Sequence, residues 1–205
     1  MNKLFIASTF SDTVNLFVKL VPKGKVVFVA NASDQFKDKS WVNADRSAFV
    51  NNGFDVIDVD LREIASKELS DILSNNDILH ICGGSALYII DLLRRKKMIS
   101  VIINAINNGM VYTGTSAGSM ILAPDLSFCA DDEDEKEAKM VGKIKNLKGI
   151  GLIDFYLMCH AQEKQYIPST KRAMNNLPYN KMPILFLNDN MALWFEGNKF
   201  QLLKN

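Results

Sequence analysis

The sequence predicts an α/β fold of the parallel-sheet, three-layer sandwich kind, with helices on both faces and a single domain over residues 1–205. Three observations predict it. Short apolar runs rich in β-branched residues, such as Lys25–Ala30 (KVVFVA), are apolar on both faces, as strands buried in a parallel sheet are. Amphipathic stretches alternate with these runs at a spacing that suits strand–helix–strand crossovers. Glycine clusters at Gly83-Gly84 and Gly114–Gly118 follow two of the runs, at the strand ends where such sheets hold their ligands.

The elements follow in order. Lys3–Ser8 reads as the first strand. Ser11 or Asp12 can cap a helix whose apolar face is Val14, Leu16, Phe17 and Leu20, broken by Pro22-Lys23-Gly24. After the strand Lys25–Ala30, a helix is expected over Val42–Asn51, stopped by Asn52-Gly53. Phe54–Val59 reads as the third strand, Ile64–Leu73 as a helix, and Asp77–Ile81 as the fourth strand. A helix then runs over Ala86–Arg95, with basic residues at the end where the helix dipole favours them. Ser100 can cap the next helix, through Ile106. Met110–Gly114 is the fifth strand and enters the turn Thr115-Ser116-Ala117-Gly118. Beyond it, Gly149–Cys159 reads as strand and Glu163–Asn175 as helix. Pro183–Leu187, Ala192–Glu196 and Lys199–Leu203 read as terminal strands, the last two joined by Gly197-Asn198.

Composition narrows the function. With 24 Lys plus Arg against 23 Asp plus Glu, the net charge of +1 argues against a nucleic-acid partner. No run reaches the ~18 apolar residues of a membrane helix, and the N-terminal stretch is too short for a signal peptide. Three cysteines (82, 129, 159) and two histidines show no close ligand pairs, so a zinc site is not expected. Reduced thiols place the chain in the cytoplasm. The run Asp131–Glu137 (DDEDEKE) reads as a solvated acidic loop.

The chemistry concentrates in Gly114-Thr115-Ser116-Ala117-Gly118, a G-x-S-x-G elbow between a strand and a helix. Such a turn exposes the serine on a strained backbone, so the residues two away on either side must be small. The Ala117 amide then faces an oxyanion, and an N–H of Gly83-Gly84 on the neighbouring strand can be the second donor. His160 ends a strand on the same edge, where a general base belongs, whereas His80 lies inside the fourth strand and reads as structural. The acid that orients His160 is open among Asp131, Asp154 and Asp189, with Asp132 beside the first. The cysteines have apolar neighbours and read as inert.

Together, the Gly-Gly strand end, the Gly114–Gly118 elbow, Pro124, an acid near 131 and the strand-end His160 resemble the peptidase E family of serine peptidases, with cyanophycinase a more distant relative. That resemblance implies a class I glutamine-amidotransferase-like, flavodoxin-related sheet. It also implies cleavage of dipeptides or other short peptides by a Ser-His-acid set without metal. On it, Ser116 is the nucleophile, His160 the base and Asp131 the acid. Gly84 and Ala117 supply the oxyanion donors, and Gly83, Ser85 and Arg172 contact substrate. The type member is a cytoplasmic aspartyl dipeptidase, so N-terminal Asp is a candidate preference. The family often reads G-G-G-N-T at the first loop, where this chain has Cys82-Gly83-Gly84-Ser85-Ala86. A small peptide is the expected partner, with no nucleic acid, no membrane and a monomer or homodimer as the working state. Two rival readings share the elbow: an α/β-hydrolase-type esterase, and an inactive binding protein on the same fold.

Overall fold

The computed structural model of the protein describes residues 2–129, 146–177 and 182–205. Its centre is a seven-stranded sheet in the order β3-β2-β4-β5-β1-β8-β9. The strands are β1 (Lys3–Ala7), β2 (Lys25–Val29), β3 (Asp55–Asp58), β4 (Ile78–Ile81), β5 (Val111–Thr115), β8 (Met191–Glu196) and β9 (Lys199–Lys204). The first five pair in parallel, and β8 and β9 add an antiparallel edge beside β1. Glu196 pairs with Lys199 across the expected two-residue turn, Gly197-Asn198.

Alternation along the strands sorts side chains onto two faces. Leu4 and Ile6 of β1 join Val27, Val29, Leu79 and Ile81 in one buried cluster. The helices α3 (Ser66–Ser74), α4 (Ala86–Arg95) and α5 (Ile99–Asn107) cover that face with Leu69, Ile89 and Ile102. Phe5 and Ala7 point the other way, with Val26, Phe28 and Cys82, towards α1 (Val14–Phe17) and α2 (Ser40–Asn51). These are the three layers that the alternating pattern predicts. Neither expected serine cap forms: the helix α1 starts after Thr13, and Ser100 lies inside α5.

The segment 149–159 differs from expectation. Only Tyr156–Met158 (β6) is strand, and it pairs in parallel with β7 (Ile184–Phe186) as a separate two-stranded sheet. The stretch before it is held as a loop against the end of the short helix α6 (Ala117–Met120), where Ile150 N–H donates to the Ile121 carbonyl and Leu152 N–H to that of Leu122. The last helix, α7, spans Ile167–Asn176 after a 3-10 turn at Lys164–Tyr166. No helix among the described residues is long and apolar enough to cross a membrane.

Candidate active site

The elbow follows from crowding at the carboxyl end of β5. A Cβ on Gly114 would lie 2.6 Å from the Gly118 carbonyl group, and one on Gly118 would lie 2.0 Å from the Ile81 carbonyl oxygen, so only glycine fits at either position. Between them Ser116 takes φ 48° and ψ −112°, a left-handed conformation that costs of order 1–3 kcal/mol and persists because its surroundings enforce it. Those surroundings are visible. Ser116 N–H donates to the Ala7 carbonyl at 3.0 Å, and Tyr112 O–H donates to that of Gly118 at 2.5 Å. Ser119 Oγ lies within 2.6 Å of the Gly114 carbonyl oxygen and accepts Ala7 N–H at 3.2 Å, stapling β1 to the elbow.

The end of β4 meets this turn. A Cβ on Gly83 would come within 3.1 Å of Ser116 Cβ, which places the Gly83-Gly84 loop against the elbow. Gly84 has φ +143° and passes so close to the Ala32 carbonyl that a side chain there has no room. Among the described residues the Gly84 and Ala117 N–H groups donate to no protein acceptor. Gly83, by contrast, is tied inward at both its N–H and its carbonyl. Ser85 is buried and caps α4, its Oγ accepting Tyr88 N–H at 3.0 Å. Arg172 sits half-buried on α7, some way along the chain from the elbow.

His160 follows β6 with φ 58°. Its Nδ1 lies 2.7 Å from Asp189 Oδ1, and the two side chains keep 13% and 25% of their surface open. Two residues just beyond β1 hold this pair. Ser8 Oγ accepts His160 N–H at 3.1 Å and donates to the Leu187 carbonyl, and Thr9 O–H donates to the Asp189 carbonyl at 2.9 Å. Since Ala7 also holds Ser116, one strand end organises the serine, the histidine and the carboxylate. The Tyr166 ring stacks on His160 with centroids 4.6 Å apart. Burial, and then the nearby Asp189 and Glu163, push the Tyr166 phenol up, so it stays neutral.

Among the described residues, Asp189 is the carboxylate that pairs with His160. Asp154 is exposed ahead of β6, and Asp131 and Asp132 lie outside the described residues. Ser8, Thr9 and Tyr166 went unsuspected in the sequence. The first two carried a usable signal, polar residues just past the end of a central parallel strand. His80 is fully buried within β4, as expected. Cys82 is buried beneath the site, and burial raises its thiol well above the ordinary range. Burial likewise pushes Cys159 up to about 12, so both remain thiols. Asp45, His80 and Cys82 bring three ligand-type atoms within 4.8 Å of one another. They sit in a closed interior where Asp45 already accepts hydrogen bonds from Thr115 and Ser11.

Comparison with known proteins agrees with this architecture. The model of peptidase family S51 matches residues 4–203. An uncharacterised peptidase of Pasteurella multocida is 27% identical over 178 residues, covering 85% of this chain and 84% of that protein. One from Listeria innocua is 26% identical over 185 residues, covering 89% and 81%. A crystal structure from Listeria monocytogenes, provisionally assigned as a peptidase E, superposes with a TM-score of 0.90 at 22% identity and covers 100% and 99% of the two chains. A peptidase from an acI-B1 actinobacterium superposes at 0.72 with 14% identity, covering 100% and 88%.

Proposed function

The chain belongs to peptidase family S51 and is a serine-type peptidase, and we propose that it hydrolyses dipeptides and other short peptides through Ser116, His160 and Asp189. The observation that carries this reading is the 2.7 Å contact between His160 Nδ1 and Asp189 Oδ1, held by Ser8 and Thr9 at the strand end that also binds Ser116. With Nδ1–H donated to Asp189, the imidazole keeps Nε2 for the reaction. Ser116 Oγ attacks the peptide carbonyl while Nε2 takes its proton. The Oγ–C bond forms, and the carbonyl electron pair moves onto oxygen, which the Gly84 and Ala117 N–H groups receive. When the tetrahedral species collapses, the C–N bond breaks and the Nε2 proton goes to the leaving amine. Water then repeats the sequence on the acyl-enzyme and returns Ser116.

The acid at Asp189 replaces the expectation of Asp131 in this proposal, because a described contact supports it. No cofactor enters any step. Side-chain choice is weak in this reading: an aspartyl pocket must pair a carboxylate, since a buried unpaired charge is costly. Arg172 is the side chain proposed for that pairing, and cytoplasmic turnover of peptide fragments is the proposed setting. A panel of X-Leu dipeptides with Asp, Asn, Ala, Leu and Lys at X tests the reading. Hydrolysis of several members with at most about tenfold preference for Asp is expected, as a single surface-accessible charge contact provides roughly 1 kcal/mol. A preference of 10³-fold lost in Arg172→Ala would establish a strict aspartyl dipeptidase, and turnover of esters alone would establish the esterase.

A further inference from the structure

We infer that Thr115 and Ser33 are positioning residues that clamp the Gly83 peptide from both sides and so aim the Gly84 N–H at the developing oxyanion. The inference rests on the serine-peptidase reading above and adds to it a support that lies outside the Ser-His-acid set.

The geometry is a pair of buried relays that meet at one residue. On the first, Gly83 N–H donates to Thr115 Oγ1 at 3.1 Å, and Thr115 O–H donates to Asp45 Oδ2 at 2.9 Å. Asp45 is 3% exposed, reaches in from α2, and is itself held by Ser11 N–H at 3.1 Å on its other oxygen. A hydroxyl that donates to a buried carboxylate is a stronger acceptor, because the charge polarises it. On the second, the Gly83 carbonyl accepts Ser33 O–H at 2.6 Å and the Trp41 indole N–H at 3.3 Å. Trp41 N–H also reaches Ser33 Oγ at 3.0 Å, which fixes the serine rotamer.

Peptide planarity converts these contacts into direction. The Gly83 carbonyl and the Gly84 N–H belong to one peptide unit, and it is trans, so the two bonds point opposite ways. Holding the carbonyl on Ser33 and Trp41 therefore turns the Gly84 N–H away from them. Gly84, at φ +143°, is in a backbone region that glycine enters without a Cβ penalty, so the contacts on Gly83 and not its own sterics aim its N–H. Holding Gly83 N–H on Thr115 ties the same loop to the residue directly before Ser116, so nucleophile and donor share one frame. A donor already in place needs no reorganisation when charge develops, and that is what makes such a group effective.

The test is the rate at which a fluorophosphonate phosphonylates Ser116, where the Oγ–P bond forms, fluoride leaves and the phosphoryl oxygen occupies the oxyanion position. Thr115→Val keeps the shape and removes the hydroxyl. It should slow the maximal phosphonylation rate by about 10- to 100-fold, with the half-saturating reagent concentration shifted less than about threefold, as misplacing a transition-state donor predicts. Thr115→Ser should restore the rate to within about threefold of the unaltered protein, because the hydroxyl is returned. Ser33→Ala cuts the other relay, leaves Trp41 on the carbonyl, and should slow phosphonylation by roughly tenfold; it carries the test if the valine variant fails to fold. Equal rates in Thr115→Val and the unaltered protein, or no rescue by serine, would overturn the inference and leave the peptidase reading intact. Failure of the unaltered protein to label at Ser116 would overturn both.

Discussion

Two histidine–aspartate pairs occupy this molecule, and they are built for opposite ends. His160 and Asp189 meet at 2.7 Å on loops past the strand ends, with 13% and 25% of their side-chain surface open. His80 Nε2 and Asp45 Oδ2 stand 3.6 Å apart with 0% and 4% open. The first pair is shaped by the hydrogen bond His160 N–H donates to Ser8 Oγ and the one Thr9 O–H donates to the Asp189 carbonyl. The second is shaped by packing: Phe28 stacks on His80 at 5.1 Å, and Phe10 and Phe49 meet its ring edge-on. Neither ring nitrogen of His80 has a hydrogen-bond partner among the described residues. The same two residue types thus form a partly open pair, to which we assign proton transfer, and an enclosed pair that belongs to the framework. Asp45 spends its charge on Thr115, not on its histidine.

The largest effect is expected at Ser116, the proposed nucleophile. Ser116→Ala should lower peptide turnover by about 10³-fold or more, since only binding and the oxyanion donors remain. Its melting temperature should hold, because alanine keeps the Cβ and the backbone of the elbow and loses only the hydroxyl; a variant retaining a tenth of the activity would remove Ser116 from the mechanism. Asp189→Asn comes next. It should cost about 10²- to 10⁴-fold in kcat with little change in KM, by leaving His160 in the wrong tautomer. Asp131→Asn, assayed beside it, should cost less than about threefold, since the proposed acid is Asp189; a reversal of the two would move the acid to Asp131.

At the core pair the expected effect changes kind. His80→Gln should leave kcat within about threefold yet lower stability by roughly 2 kcal/mol, since three aromatic contacts go and a polar group stays buried. A collapse of kcat in folded His80→Gln would mean that the two pairs are not separable. The smallest effect concerns the thiols. Cys159 is raised to about 12 by burial, so its folded pKa exceeds the ~8.5 of an unfolded thiol. The stabilisation is complete below that value and declines as pH rises through 9 and beyond. Iodoacetamide at pH 8 should therefore modify Cys159 only on unfolding, and mass spectrometry reads this directly; rapid native labelling would show an open thiolate.

Much of this was legible because it is local. The five parallel strands announce themselves through β-branched runs, and the elbow through glycines whose necessity is steric at Gly114 and Gly118. His160 could be found because one of only two histidines ends a strand. What could not be read is tertiary. Residues 149–155 carry apolar side chains that suit a strand, but their backbone bonds to the end of α6 instead. Asp131, Asp154 and Asp189 look alike along the chain, and only the fold brings Thr9 to Asp189. The clamp on Gly83 joins Ser33, Trp41, Asp45 and Thr115 from three separate segments, so no spacing rule announces it.

In the proposed mechanism Ser116, His160 and Asp189 act with the Gly84 and Ala117 amides as one site. A crystal structure of the protein inactivated with diisopropyl fluorophosphate tests it most directly. Phosphorus should be bonded to Ser116 Oγ, with a phosphoryl oxygen about 2.7–3.1 Å from both amide nitrogens, and Asp189 should sit on His160 Nδ1. Phosphorus on another residue, a phosphoryl oxygen turned away from both amides, or Asp131 seated on His160 would contradict it.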